Sequence, residues 1–197
     1  MERSLFMSLD TPDRRELLTL ARASIDSALA TGRNGEPAPF TAPLRSPALT
    51  ERRSSFVTLR RGTELRGCCG TLDAPRPLGE DVWRNAWAAA FNDYRFQPLT
   101  AAEWPQINLH LSLLTPPEPL DVKTEAQLLA VLRPSIDGLI LESEDGRATF
   151  LPAVWEQIPD PVQFVRQLKV KAGWPATYWS PRVRCSRYGT ESFGEED

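Results

Sequence analysis

Residues 65–71 read LRGCCGT, and residues 55–60 before them read SFVTLR. The alternation of apolar and polar residues in the earlier segment predicts a half-buried strand. Residues 61–64, RGTE, contain a glycine and predict a turn, so that the later segment returns as the second arm of a hairpin. Gly67 and Gly70 weaken a regular ladder and predict a β-bulge or the close approach of another backbone.

The returning arm also carries the candidate site. Cys68 is a thiol in a glycine-flanked segment, and Arg66 supplies a permanent positive charge that favours a thiolate or holds an anion. Because side chains alternate along a strand, both are expected on one face. We therefore interpret Cys68 as a candidate nucleophile or proton donor and Arg66 as an anion clamp. The alternative is a buried, inert cysteine, with Arg66 in a surface pair with Glu64 or Asp73.

A second group of candidates follows the helix predicted at residues 79–94. Asp93 is a candidate acid or base, and Arg95 a candidate binding residue, if both lie near Cys68. The alternative is an ion pair or helix cap that fixes the loop. The remaining candidate binding residues are Gly67, Gly70 and Thr71.

Composition narrows the class of protein. The chain has 197 residues, 41% of them hydrophobic, and a formal net charge of −3. These values predict one large globular domain, or one domain built from two lobes. The small negative charge and the lack of a basic stripe disfavour nucleic acid and anionic membranes as partners. No apolar run approaches the length of a membrane span, and residues 1–10 lack the apolar region of a signal peptide.

The cysteine and histidine content predicts neither a disulfide framework nor a metal site. There are three cysteines, two of them adjacent, which favours a reducing, cytoplasmic setting. The single histidine, His110, falls on the polar face of a predicted strand, where a hydrogen-bonded or solvated side chain is expected. No metal-binding spacing occurs, and no cofactor is predicted.

Predicted helices and strands are mixed along the chain without a regular βαβ order, which predicts an α+β fold with mainly antiparallel sheets. Residues 118–120 are expected to form a turn, and the acidic tail from Gly194 to Asp197 is expected to fray. Helices are predicted at about residues 12–31, 79–94, 124–132 and 161–172, and strands at 55–60, 65–72, 107–114, 139–141, 148–151 and 182–188.

Residues 65–71 resemble the hallmark LRGCIGT of the AMMECR-one domain family, called AmmeMemoRadiSam system protein A in prokaryotes. Cys69 stands where the family usually has isoleucine, which implies that Cys69 faces the core and that Cys68 is the thiol of interest. Tyr94 stands where proline is common. Further matches extend the resemblance over nearly the whole chain, at residues 56–59, 85–91, 93, 95–96, 98–100, 112–120, 149–152, 154–157 and 168–173.

The resemblance implies a single AMMECR-type domain over residues 1–197, with two lobes flanked by helices. It also implies gene neighbourhoods shared with a Memo-type protein and a radical S-adenosylmethionine protein. Two functions stay open. The chain is either a thiol-dependent enzyme or pathway component acting on a small metabolite or protein, or a non-enzymatic accessory protein that binds a small-molecule ligand or those partners.

Overall fold

A computed structural model describes residues 9–32 and 35–196. The chain divides into two compact units, each with its own four-stranded sheet. The first unit comprises the described residues up to Leu114 together with residues 191–196, and the second comprises Thr115–Thr190. This architecture confirms the α+β class with antiparallel sheets. Most of residues 1–10, for which no signal peptide was predicted, lie outside the described residues.

Within the described part of the chain there are five α-helices and eight β-strands. The helices are α1 (Thr11–Thr31), α2 (Pro47–Thr50), α3 (Leu78–Phe91), α4 (Glu125–Val131) and α5 (Pro161–Lys171). The strands are β1 (Ser55–Arg61), β2 (Glu64–Gly70), β3 (Asn108–Leu114), β4 (Glu118–Leu120), β5 (Gly138–Ser143), β6 (Gly146–Phe150), β7 (Arg184–Tyr188) and β8 (Thr190–Gly194). No helix among these is both long and apolar enough to cross a membrane.

The sheet of the first unit has the strand order β2-β1-β3-β8, and β1 is antiparallel to both of its neighbours. One face is apolar and packs with α1 and α3 into a core that includes Val57, Leu59 and Leu109. The other face carries the polar residues that alternate with these, among them Thr58 and His110. The predicted hairpin is confirmed, with β1 and β2 as its arms.

Both features predicted from the two glycines occur. A β-bulge lies at Arg66, because Leu59 pairs with Gly67 while the next residue of β1 pairs with Leu65. A Cβ atom at Gly67 would lie 2.1 Å from the carbonyl oxygen of Ala89, so α3 packs directly against β2 at this point. A Cβ atom at Gly70 would lie 2.3 Å from the ring of its cross-strand partner Phe56. Packing within the chain therefore accounts for both glycines.

The sheet of the second unit has the order β4-β7-β5-β6. Its core includes the ring of Trp155 stacked on Phe164 of α5, with centroids 3.7 Å apart. The predicted β5–β6 hairpin is confirmed. So is the N-cap of α5, where the Asp160 carboxylate accepts a hydrogen bond from the Gln163 N–H at 2.7 Å. Local sequence thus predicts these elements correctly.

Three local predictions were wrong. Glu118–Leu120 forms the edge strand β4, where Pro119 is tolerated because an edge needs no N–H on its outer side. Strand β8 follows β7 and was not predicted. The tail is ordered as far as Glu196, since the Glu195 carboxylate accepts a hydrogen bond from the Leu109 N–H at 2.8 Å and pairs with Arg22. Asp197, the last residue of that predicted frayed tail, lies outside the described residues.

Candidate functional site

The thiol of Cys68 lies in a row of three side chains on the polar face of the first sheet. Cys68 in β2 is directly opposite Thr58 in β1, which in turn is opposite His110 in β3. Directly opposite residues project to the same face, and we call these three residues the thiol row. All three are partly exposed, and the Thr58 hydroxyl donates a hydrogen bond to the thiol, with Oγ1 and Sγ 3.4 Å apart. Solvent can therefore reach a thiol that has a polar neighbour.

The backbone of Cys68 is held at the edge of the sheet by the loop after α3. Strand β2 is an edge strand, so its outward N–H and C=O groups have no neighbouring strand. The Cys68 N–H donates to Asp93 Oδ2 at 2.8 Å, and the Cys68 carbonyl accepts from Arg95 Nη2 at 3.4 Å. These two side chains take the place of a neighbouring strand and fix the position of Cys68.

Asp93 and Arg95 also bind each other through two parallel hydrogen bonds, of 2.9 Å to Oδ1 and 2.6 Å to Oδ2. The hydrogen bond from Arg95 outweighs the opposing effect of burial and holds the pKa of Asp93 below its usual range. The carboxylate is only 4% exposed. An ionised, paired and buried carboxylate fits the ion-pair alternative for Asp93 better than the acid or base role.

Arg66 forms a second link between β2 and the loop after α3. Its Nε and Nη2 atoms donate to Glu103 at 3.0 and 3.3 Å, and Nη2 also donates to the Gln97 carbonyl at 3.0 Å. The predicted partners Glu64 and Asp73 were therefore wrong. The hydrogen bond from Arg66 lowers the pKa of Glu103 to about 2. The bulge at Arg66 also removes the strict alternation on which its shared face with Cys68 was predicted.

Thr71 belongs to a buried network at the opposite end of β2. Its hydroxyl donates to Asp81 at 2.8 Å, as do the Ser55 hydroxyl at 2.7 Å and the Asn85 amide at 2.9 Å. Burial raises the pKa of Asp81, although these hydrogen bonds oppose the increase. The network joins β1, β2 and α3, so it accounts for Thr71 without a ligand. Sequence analysis missed this cluster, whose signal is the Asp81 and Asn85 spacing on the buried face of a helix.

The other two cysteines face hydrophobic cores. Cys69 packs against the core of the first unit, as the resemblance implies, and burial raises its pKa to about 11. Cys185 is buried in the second unit, and burial raises its pKa to about 12. Cys68 is thus the cysteine whose side chain lies on a polar face. No cluster of three or more histidine, cysteine or carboxylate ligands suited to a metal occurs among residues 9–32 and 35–196.

Comparison with known proteins identifies the family. The AMMECR1 family model matches residues 18–193. A protein of Methanothermobacter thermautotrophicus is 32% identical over 198 residues, which cover 97% of this chain and 98% of the relative. A protein of Thermococcus gammatolerans is 35% identical over 191 residues, covering 91% and 89%. The crystal structure of protein PH0010 from Pyrococcus horikoshii is similar, with a TM-score of 0.82 and 31% identity over 91% of this chain and 90% of that chain. This chain belongs to the AMMECR1 family.

Proposed function

We propose that this protein is a thiol-dependent enzyme or pathway component in which Cys68 is the nucleophile toward an electrophilic group of a small metabolite or protein. The observation that carries the proposal is the hydrogen bond from Thr58 to a partly exposed thiol. A hydrogen bond donated to sulfur favours the thiolate, which is the reactive form. Burial raises the pKa of both other cysteines and disfavours their thiolates.

In this proposal Asp93, which was predicted as an acid or base, and the predicted binding residues Arg66 and Arg95 become positioning residues. Asp93 and Arg95 hold the Cys68 backbone, and Arg66 ties the loop to the bulge through Glu103. Because the charge of each arginine is neutralised by a carboxylate, substrate affinity is expected to depend little on a free cation at this edge. We therefore expect the site to recognise its ligand mainly through the electrophilic group that reacts with Cys68.

One observation favours the alternative of an accessory protein. Tyr94 is 95% exposed and stands between Asp93 and Arg95, whose pairing fixes the loop. Exposed aromatic residues on rigid loops are frequent anchors of protein interfaces, because little conformational entropy is lost on binding. Tyr94 would then be the anchor for a Memo-type or radical S-adenosylmethionine protein.

Reconstitution with those two proteins distinguishes the two functions. The three proteins are mixed with a metabolite extract, and the change in metabolites is followed by mass spectrometry while complex formation is followed by gel filtration. Cys68→Ser is expected to abolish the metabolite change and to leave any complex intact, whereas the matched variant Cys69→Ala retains both. A full metabolite change with Cys68→Ser, combined with loss of the complex in Tyr94→Ala, would support the accessory function instead.

A further inference from the structure

The thiol row ends in a histidine. His110, the single histidine of the chain, is separated from Cys68 by one strand. Neighbouring strands lie about 4.8 Å apart, so the backbones of Cys68 and His110 are about 10 Å apart. Side chains that stand perpendicular to the sheet do not close that gap with a direct hydrogen bond. An intervening group is needed to couple the imidazole to the thiol.

Thr58 occupies the intervening position. A hydroxyl both donates and accepts hydrogen bonds, and that of Thr58 already lies 3.4 Å from the Cys68 sulfur. We propose that Thr58 relays a proton between Cys68 and His110, so that His110 is the base that activates the thiol. This inference rests on the proposed function of Cys68 and adds the source of its activation.

The proton transfer is balanced within the three side chains. The Cys68 S–H proton passes to the Thr58 oxygen while the Thr58 O–H proton passes to a ring nitrogen of His110. The products are a thiolate, an unchanged threonine hydroxyl and an imidazolium. In that state the Thr58 hydroxyl donates to the sulfur across the 3.4 Å contact. Once the substrate is attached to sulfur, the imidazolium can return the proton to the leaving group.

The groups around His110 carry both charges. His110 lines a cavity of about 110 Å³ with Arg60, Asn108, Glu195 and Glu196. Glu195 is paired with Arg22, and Glu196 accepts a hydrogen bond from Asn108, while Arg60 donates to the Thr63 carbonyl at 3.2 Å. The cavity gives the ring access to water for proton exchange.

The groups around Cys68 are balanced in charge. Asp93 and Arg95 lie at the outer edge of β2 and neutralise each other, as do Arg66 and Glu103 farther along. The thiol of Cys69 is directed to the core and stays protonated near neutral pH, because its pKa is about 11. The titratable group that shares the polar face and the cross-strand row with Cys68 is His110, with Thr58 between them.

The pH dependence of Cys68 alkylation by iodoacetamide tests the relay. Rates are measured between pH 5 and 9 on the folded full-length protein by peptide mass spectrometry. The wild-type rate is expected to rise in two steps with pH, one set by the base and one by the thiol itself. His110→Gln and Thr58→Val are each expected to remove the step set by the base and to lower the rate at pH 7 about tenfold, equivalent to one pKa unit. Thr58→Ser keeps the hydroxyl and is expected to retain the step.

The outcomes separate the relay from the proposed function. If Cys68 is labelled but His110→Gln has the wild-type profile, the relay is wrong while the nucleophile stands. If His110→Gln changes the profile but Thr58→Val does not, the histidine acts through its charge alone and the relay is also wrong. If the wild-type Cys68 is not labelled at all in the folded protein, the proposed function itself fails. Circular dichroism of each variant checks that it is folded.

Discussion

At the scale of single residues, the candidate site is defined by how side chains substitute for missing backbone partners. Asp93 accepts a hydrogen bond from the Cys68 N–H, and Arg95 donates one to the Cys68 carbonyl. Both backbone groups of this edge-strand residue are therefore hydrogen-bonded although no strand lies beside them. Such pairing also protects the edge against association with other strands. Two residues predicted as catalytic or binding groups thus contribute to the site by fixing the backbone of Cys68.

Replacing Asp93 by asparagine tests this role. Asp93→Asn removes the charge that pairs with Arg95 and is expected to lower the free energy of unfolding by about 1–3 kcal/mol at pH 7. Chemical denaturation measures the loss, and faster hydrogen exchange at the Cys68 amide locates it. The matched control Asp121→Asn removes an exposed pair with Lys123 and is expected to change stability much less than Asp93→Asn does. Equal stability of Asp93→Asn and wild type would contradict the role.

The same variant has a defined pH dependence. The pKa of Asp93 is lowered in the folded state, so its contribution to stability is complete above the unfolded-state pKa of about 3.9. That contribution is lost as the pH falls through the folded-state value. The difference in unfolding free energy between wild type and Asp93→Asn should be constant from pH 6 to 8 and shrink below about pH 4. A difference that grows on acidification would have the wrong sign.

At the scale of elements, the hairpin depends on a direct contact between helix and strand. Gly67 allows α3 to approach β2 so closely that a methyl group would overlap the Ala89 carbonyl, an atom of the helix backbone. Because backbone cannot rotate away as a side chain can, any larger residue must displace the helix. That displacement would also shift the loop after α3, which carries Asp93.

Gly67→Ala is therefore expected to lower the free energy of unfolding by about 2 kcal/mol or more, measured by denaturation. The matched variant Gly35→Ala places its methyl group in open space and is expected to be neutral or slightly stabilising. The Gly67→Ala protein that remains folded should also label more slowly at Cys68, because the loop is displaced. A neutral Gly67→Ala would show that the helix does not press on the strand.

Sequence patterns predicted the elements whose signals are local. The β1–β2 hairpin and the cap of α5 depend on residues only a few positions apart, and both are confirmed. Strand β4 was missed because three residues containing a proline have no periodicity, and their pairing with β7 is nearly seventy residues away. The Arg66 and Glu103 pair was missed for the same reason. Pairings set by tertiary folding leave no local pattern to detect.

At the scale of the whole molecule, the chain leaves the first unit at Leu114 and returns to it with β8. Glu191 fixes this return, since its carboxylate binds Arg14 at 2.9 Å and Arg53 at 3.2 Å. The Arg53 side chain is only 5% exposed, and burial lowers its pKa against the opposing charge of Glu191. The pairing of this buried cation with Glu191 ties the C-terminal strand to the first unit.

Glu191→Gln is expected to cost about 3 kcal/mol, because it removes the carboxylate that pairs with the buried Arg53 guanidinium at 3.2 Å. Thermal unfolding should show the largest shift in the transition of the first unit, and tryptophan residues in both units provide the signal. Glu144→Gln is the control, since it breaks an exposed pair with Arg182 and should cost less than about 1 kcal/mol. Equal losses of stability in the two variants would show that β8 has no special role in the first unit.

Competitive alkylation of the three cysteines tests the central claim most directly. The folded protein is treated briefly with iodoacetamide at pH 7.5, unfolded, and labelled with an isotopically heavy reagent, so that mass spectrometry gives the reacted fraction of each thiol. We expect Cys68 to react in the folded state, while Cys69 and Cys185 react mainly after unfolding, because burial raises their pKa values to about 11 and 12. Equal protection of all three thiols, or faster labelling of Cys69, would contradict the assignment of Cys68 as the nucleophile.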